Sequence, residues 1–143
     1  MVKIFDRTNV DFIVKEDEGV VIARFKDPRQ ICERWVDKLE ANSLNYIVSS
    51  QEYLKMYERI AKVRGIAKCA EGDTFDLKIG KRIALSKLKI KAMTSITKAY
   101  ITFQEKLIDE VEKIDKYIVD GFDFLDNESG RLNVTIETVE SHN

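Results

Sequence analysis

The stretch from Asp76 to Asp120 is the feature that most constrains how this chain can fold. Alternating steps of four and three residues give twelve positions, nine of them apolar or aromatic: Ile79, Ile83, Ser86, Ile90, Met93, Thr97, Tyr100, Gln104, Leu107, Val111, Ile114 and Ile118. This is the heptad spacing of a coiled-coil seam, and no proline interrupts it. The pattern predicts one long helix, or two helices nearly in line, over residues 76–120.

A helix of this length cannot be covered by the rest of a small domain. About 45 residues at 1.5 Å each would span roughly 65 Å, which exceeds the width of a compact domain of this size. The seam therefore needs a partner, and we expect a second copy of the chain, so that a homo-oligomer forms through residues 76–120. The alternative is a bent helical hairpin that folds back within one chain.

Charge is distributed unevenly along this helix. Residues 77–98 contain no acid and seven cations, which are Lys78, Lys81, Arg82, Lys87, Lys89, Lys91 and Lys98. Residues 105–120 contain six acids against three lysines. The helix macrodipole prefers the reverse order, so the cations need compensation from an antiparallel partner helix or from a bound anion. A second apolar line through Leu88, Ala92 and Ile96 predicts that the first half is buried on two sides.

The residues before the long helix predict a small α+β head. Val10–Phe25 has the alternation of a β-hairpin closed at Gly19, with the second strand inside the sheet. Asp27 followed by Pro28 predicts the start of a helix with Trp35 in the core, and Ser49 with Glu52 predicts a capping box. Three further strands are expected at Val2–Phe5, Leu44–Val48 and Val63–Ala70.

The C-terminal residues predict one more strand. Gly121 is a plausible end for the long helix, a turn follows at Asp126–Gly130, and apolar residues alternate over Leu132–Val139. The whole pattern predicts an α+β fold, with helices packed on a small antiparallel sheet and one long C-terminal helix. We expect residues 1–75 to form the head, 76–120 the helix and 121–143 the turn and strand of a single domain.

Composition disfavours most kinds of catalysis. The only histidine is His142, and the two cysteines, Cys32 and Cys69, lack metal-ligand spacing. The sequence has no Walker glycine loop and no GxGxxG motif. We therefore expect no enzyme activity, no metal and no cofactor. Free thiols and the absence of a long apolar run predict a cytoplasmic protein without a membrane partner, and the net charge of −1 weighs against binding of polyanions by bulk charge.

One constellation suggests a binding site. A strand, a tight turn and a helix N-terminus follow one another, and a helix N-terminus favours anions. The side chains expected to contact an anionic ligand there are Arg64, Lys68, Asp73, Phe75, Lys78, Lys81 and Arg82. Phe75 is suited to stacking on a base, and Asp73 to accepting hydrogen bonds from a ribose. The alternative is a solvated basic face whose lysine stems cover the apolar seam.

The segments Gly65–Cys69, Gly72–Asp76 and Gly80–Ala84 resemble a pattern in small proteins of phages and prophages of Gram-positive bacteria, roughly G-x-A-K-C-x-P-x-D-x-F-D-x-x-x-G-x-x-I-A. The resemblance covers 20 of 143 residues, and Glu71–Gly72 replaces the usual proline. Phage anti-Thoeris sponges are proteins with a similar pattern. They are non-enzymatic oligomers that sequester cyclic ADP-ribose-type or cyclic oligonucleotide immune signals.

The resemblance implies an anti-defence protein that binds a nucleotide-like immune signal in a bacterial host without turning it over. Two alternatives come from other classes of protein. One is an anti-CRISPR-type inhibitor that binds a host defence protein or nuclease. The other is a small nucleic-acid-binding regulator, which the near-neutral net charge and the absence of helix-turn-helix spacing disfavour.

Overall fold

The computed structural model describes residues 3–141 and confirms the α+β class. Three strands and three helices follow in the order β1 (Val10–Lys15), β2 (Val20–Phe25), α1 (Pro28–Glu40), α2 (Ser50–Lys62), β3 (Gly65–Lys68) and α3 (Leu77–Ser141). The chain divides into two compact units, Met1–Tyr100 and Ile101–Asn143, here called unit 1 and unit 2. The boundary therefore falls within α3.

The sheet of unit 1 is antiparallel throughout, with β2 between β1 and β3. Val21, Ala23 and Phe25 of β2 are buried on one face, as the two-residue period of a strand requires. Gly19 closes the hairpin with a φ of 64°, a conformation that glycine adopts without a steric penalty. Both the hairpin and the central position of its second strand are as predicted.

The starts of α1 and α2 follow from local capping. The Asp27 carboxylate accepts a hydrogen bond from the Arg29 backbone N–H at 3.0 Å, with Pro28 in the first turn. The Ser49 hydroxyl accepts from the Glu52 N–H at 3.1 Å, and Glu52 completes the predicted capping box. Trp35 of α1 is fully buried in the core of unit 1, as expected.

The first part of α3 packs closely against the sheet. Its Asp76 cap accepts a hydrogen bond from the Ile79 N–H at 3.1 Å. Ala84, Leu88, Ala92 and Ile96 recur every fourth residue and are fully buried. Gly65 of β3 allows this packing, because a Cβ there would lie 1.9 Å from the Ala84 carbonyl oxygen. The α3 backbone therefore approaches β3 closely at Gly65.

Unit 2 is helical in every residue that the structure describes, and only Phe103 and Leu107 in it are buried or half-buried. The predicted helix end at Gly121, the turn at Asp126–Gly130 and the strand at Leu132–Val139 are therefore wrong. The apolar residues of this segment fit both the two-residue period of a strand and the 3.6-residue period of a helix, since Leu132, Ile136 and Val139 also lie on one helical face. A helix satisfies its own backbone hydrogen bonds, whereas a terminal strand would need a sheet edge to join.

Two other strand predictions also differ from the structure. Leu44–Val48 contains a short 3₁₀ turn over Asn45–Ile47. Residues 3–5 lie outside any strand, and Val2 and His142 lie outside the described residues. Within residues 3–141, no helix combines the length and the apolar character needed to cross a bilayer.

Candidate anion-binding pocket

A cavity of about 190 Å³ in unit 1 lies beside β1 and the first turns of α3. Four of its lining residues are cationic, namely Arg7, Lys78, Lys81 and Arg82, and the other three are apolar, namely Val10, Phe12 and Leu85. None of the seven is acidic. We call this cavity the cationic pocket, and it contains the three cations that the sequence predicted on α3.

The periodicity of two elements brings these side chains to one place. Lys81, Arg82 and Leu85 follow Lys78 by three, four and seven residues, so the four side chains share one face of α3. Val10 and Phe12 are two residues apart and share one face of β1. The cationic pocket forms where these two faces meet in unit 1.

Arg7 reaches the cationic pocket from a structured turn. The Asp6 carboxylate caps the 3₁₀ turn Arg7–Asn9, accepting hydrogen bonds from the Thr8 N–H at 3.0 Å and the Thr8 hydroxyl at 2.9 Å. The backbone hydrogen bond from Thr8, followed by the hydroxyl bond, lowers the pKa of Asp6 below its ordinary value. Arg34 forms an ion pair with the same carboxylate at 3.3 Å. The turn that carries Arg7 is thus fixed by charged contacts that do not use the Arg7 side chain.

The cations of the pocket are not neutralised within the described chain. No carboxylate of residues 3–141 lies within 4.0 Å of the charged groups of Arg7, Lys78, Lys81 or Arg82. The Lys81 ammonium lies 5.5 Å from the centroid of the Phe12 ring, within range of a cation–π contact. The positive end of the α3 dipole adds to the same field, because Lys78 and Lys81 lie near its first turn. An anion in this cavity would relieve the mutual repulsion of the cations.

Three other predicted residues line a second cavity of about 320 Å³. Lys68, Asp73 and Phe75 contribute to it, together with Gly19, Cys69 and Ile79 among others. Its lining combines one cation with acidic and apolar groups, and the Cys69 thiol donates to the Asp73 carbonyl at 3.5 Å. Phe75 and Asp73 therefore share a cavity with each other, but not with Lys78, Lys81 and Arg82.

Arg64 lines neither cavity. Its Nη1 atom donates to the carbonyl oxygens of Ala61 and Val63 at 2.9 and 2.8 Å. These carbonyls lie at the C-terminal end of α2, where a helix has acceptors without intrahelical donors. The structure therefore gives Arg64 a capping position at the end of α2.

Sequence reasoning missed Arg7 and Phe12 as members of the cationic pocket. The alternation of Val10 and Phe12 indicates that they share a strand face, but nothing in the sequence pairs that face with residues 78–85. Only the packing of α3 on the sheet brings the two segments together. Within residues 3–141, no group of three or more His, Cys, Asp or Glu side chains is arranged to hold a metal ion.

Comparison with known proteins adds no template for this site. No protein-family model, curated protein or solved structure matches the chain significantly.

Proposed function

We propose that this protein binds and sequesters an anionic, nucleotide-like ligand through the cationic pocket, without turning it over. The observation that carries the proposal is that Arg7, Lys78, Lys81 and Arg82 surround one cavity that has no acidic lining residue. Lysine and arginine form short, charge-assisted hydrogen bonds to phosphate, and an arginine can bind it in a bidentate manner.

The size of the cationic pocket indicates which part of a ligand it would hold. Pockets that enclose a whole small molecule usually measure about 300–1,000 Å³, whereas this one measures about 190 Å³. A phosphate or a ribose phosphate fits this space, and the remainder of a nucleotide would lie at the rim. Recognition would therefore depend mainly on the phosphate charge.

The lining of the cationic pocket supports binding over turnover. It contains no carboxylate, imidazole, thiol or hydroxyl group. General acid–base and nucleophilic catalysis usually use such groups within hydrogen-bond reach of the substrate. Cations without a neighbouring base are suited to holding a phosphate in place.

The resemblance of residues 65–84 to phage and prophage proteins suggests the biological setting. The ligand would be a cyclic ADP-ribose-type or cyclic oligonucleotide immune signal, sequestered in the cytoplasm of an infected bacterium. Self-association through residues 76–120 belongs to the same proposal. It is supported by apolar side chains of the seam that lie exposed along α3, including Ile83, Ile90, Val111 and Ile118.

Calorimetry with purified protein tests the ligand proposal. Cyclic ADP-ribose, a cyclic dinucleotide and inorganic pyrophosphate serve as probes, and chromatography of each mixture shows whether the nucleotide is recovered intact. Reversal of Lys78, Lys81 and Arg82 to Glu should weaken binding at least about 100-fold, since three charge-assisted contacts become repulsive.

The control for charge alone reverses three exposed lysines elsewhere in unit 1, Lys38, Lys55 and Lys62, to Glu. This variant has the same net charge as the pocket variant and should stay within about threefold of the wild type, because distant charges are screened. Equal losses in the two variants, or no binding of any probe by the wild type, would contradict the proposed site. A degraded nucleotide would contradict sequestration.

A further inference from the structure

Unit 2 has an apolar stripe that nothing in the described chain covers beyond Leu107. Leu107 is half-buried, and the eight residues that follow on the same helical face are between 45% and 63% exposed, namely Val111, Ile114, Ile118, Phe122, Leu125, Leu132, Ile136 and Val139. At 3.6 residues per turn these nine side chains occupy an arc of roughly 100°. Such a face on a helix is typical of a surface that packs against another helix.

The charges beside this stripe are acidic. Residues 101–143 contain eleven acids and four basic side chains. The charged residues nearest to the centre of the stripe are Glu110, Asp115, Glu128 and Glu140, whereas Lys106, Lys113, Lys116 and Arg131 lie roughly 100° or more from it. We refer to the nine apolar residues and their acidic neighbours as the acidic stripe.

Unit 1 carries a shorter apolar row with the opposite charge. Ile79, Ile83 and Ile90 are 53%, 43% and 65% exposed, on the face of α3 opposite the buried residues Ala84 to Ile96. The charged side chains of α3 beside them are cationic, namely Arg82, Lys87, Lys89 and Lys91. The carboxylates of Asp73 and Asp76 lie at the N-terminal end of this row, where they line the second cavity with Ile79 and Ile83. Lys87 and Lys91 donate to the carbonyl oxygens of Ile66 and Arg64, and their charges remain positive. We call this surface the basic row.

We infer that the acidic stripe of one copy packs on the basic row of a second copy. The inference rests on the self-association included in the proposed function, and it specifies which surfaces meet. Two acidic stripes packed together would place acids beside acids, and two basic rows would place cations beside cations. A stripe against a row pairs opposite charges, and it covers the row together with the part of the longer stripe that faces it. Every copy carries one of each, so copies of the same chain supply both surfaces.

Mixing two full-length variants tests this arrangement by light scattering coupled to size exclusion. The row variant carries Ile83→Asp and Ile90→Asp, and the stripe variant carries Ile118→Asp and Leu125→Asp. We expect the wild type to be oligomeric and each variant alone to be monomeric. An equimolar mixture should form a complex containing one of each, because the intact row of one variant meets the intact stripe of the other.

Each other outcome would overturn a defined part of the argument. A row variant that keeps the wild-type mass would indicate contact between two stripes, and a stripe variant that keeps it would indicate contact between two rows. A mixture that stays monomeric would also overturn the inference. A monomeric wild type would refute self-association itself and would favour some other protein as the occupant of the stripe. It would leave the ligand proposal to its own calorimetric test.

A matched control and a salt titration sharpen the result. Val119→Asp with Val134→Asp adds the same charge to unit 2, on exposed residues away from the stripe, and should keep the wild-type mass. Increasing the salt from about 50 mM to about 500 mM should weaken an assembly held by opposite charges, because it screens their attraction. Contact between two acidic stripes would instead strengthen as salt rises, which would contradict the inference. Circular dichroism checks that all variants remain folded.

Discussion

Units 1 and 2 both contain part of α3, yet they differ in what the helix does with its apolar residues. In unit 1 the helix buries Ala84, Leu88, Ala92 and Ile96 against the rest of the unit, whereas in unit 2 the apolar stripe is exposed beyond Leu107. Their charges differ as well: residues 1–100 have 20 basic and 14 acidic side chains, and residues 101–143 have four and eleven. The same helical periodicity thus produces a core in one unit and a surface suited to an interface in the other.

The comparison predicts that changes to alanine destabilise unit 1 and leave unit 2 equally or more stable. Gly65→Ala should have the largest effect. Its Cβ would lie 1.9 Å from the Ala84 carbonyl oxygen and 2.5 Å from the Leu88 backbone nitrogen. Because both atoms belong to the backbone of α3, a side-chain rotation cannot relieve the overlap. We expect a loss of about 3 kcal/mol or more in the free energy of unfolding, measured by urea titration. A variant as stable as the wild type would show that β3 and α3 pack less closely.

The next prediction compares the two units through a matched pair of leucine substitutions. Leu88 is fully buried and Leu125 is 56% exposed, so the same change to Ala has different consequences. Leu88→Ala should lower the free energy of unfolding by about 2–5 kcal/mol through lost burial and a cavity. Leu125→Ala should change it by less than about 0.5 kcal/mol at a concentration where the chain is monomeric. Similar losses at both positions in dilute solution would indicate that the stripe is covered within one chain.

The two cysteines of unit 1 distinguish its interior from its surface. Cys32 is fully buried, and Cys69 is only half-buried. Burial, followed by the charges of Glu33 and Asp27, raises the pKa of the Cys32 thiol from 9.0 to about 11. Because the thiolate is the reactive form, DTNB at about pH 8 should modify Cys69 promptly and Cys32 only after unfolding. Rapid reaction of two thiols in the native protein would contradict this burial.

The raised pKa of Cys32 also predicts a pH dependence of stability. The folded chain holds the thiol proton more tightly than the unfolded chain, so the free energy of unfolding should fall as the pH rises from 9.0 to about 11. Cys32→Ala should reduce this fall relative to the wild type, and Cys69→Ala serves as the control. Urea titrations across that range provide the measurement. An unchanged slope in Cys32→Ala would show that other groups account for the effect.

The smallest effect is expected in unit 2, where alanine should stabilise the helix. Gly121 and Gly130 lie within α3, and a Cβ at either position would meet nothing within 4 Å. Alanine is favoured over glycine in an exposed helix by roughly 0.5–1 kcal/mol. Each substitution should raise the helical signal in circular dichroism during thermal unfolding. A lower signal would indicate that the helix is interrupted at these glycines, as the sequence first suggested for Gly121.

Local rules allowed most of unit 1 to be predicted from the sequence. Gly19, Pro28 and the Ser49–Glu52 capping box act on neighbouring residues only, so their effects are visible in a short window of sequence. In unit 2, a short window of sequence does not distinguish a strand from a helix. There, Leu132, Val134 and Ile136 fit a strand, while Leu132, Ile136 and Val139 fit a helix, and the choice depends on whether a sheet edge is within reach.

In the candidate site as well, the sequence predicts local arrangement but not the contacts between distant segments. Helical spacing alone places Lys78, Lys81 and Arg82 on one face, and the sequence therefore determined this part of the cationic pocket. Tertiary structure decided that Arg7 and Phe12 join them, that Lys68, Asp73 and Phe75 line a separate cavity, and that Arg64 caps α2. The physical reason is that spacing along a helix or strand is fixed by backbone geometry, whereas contacts between distant segments depend on how their faces pack.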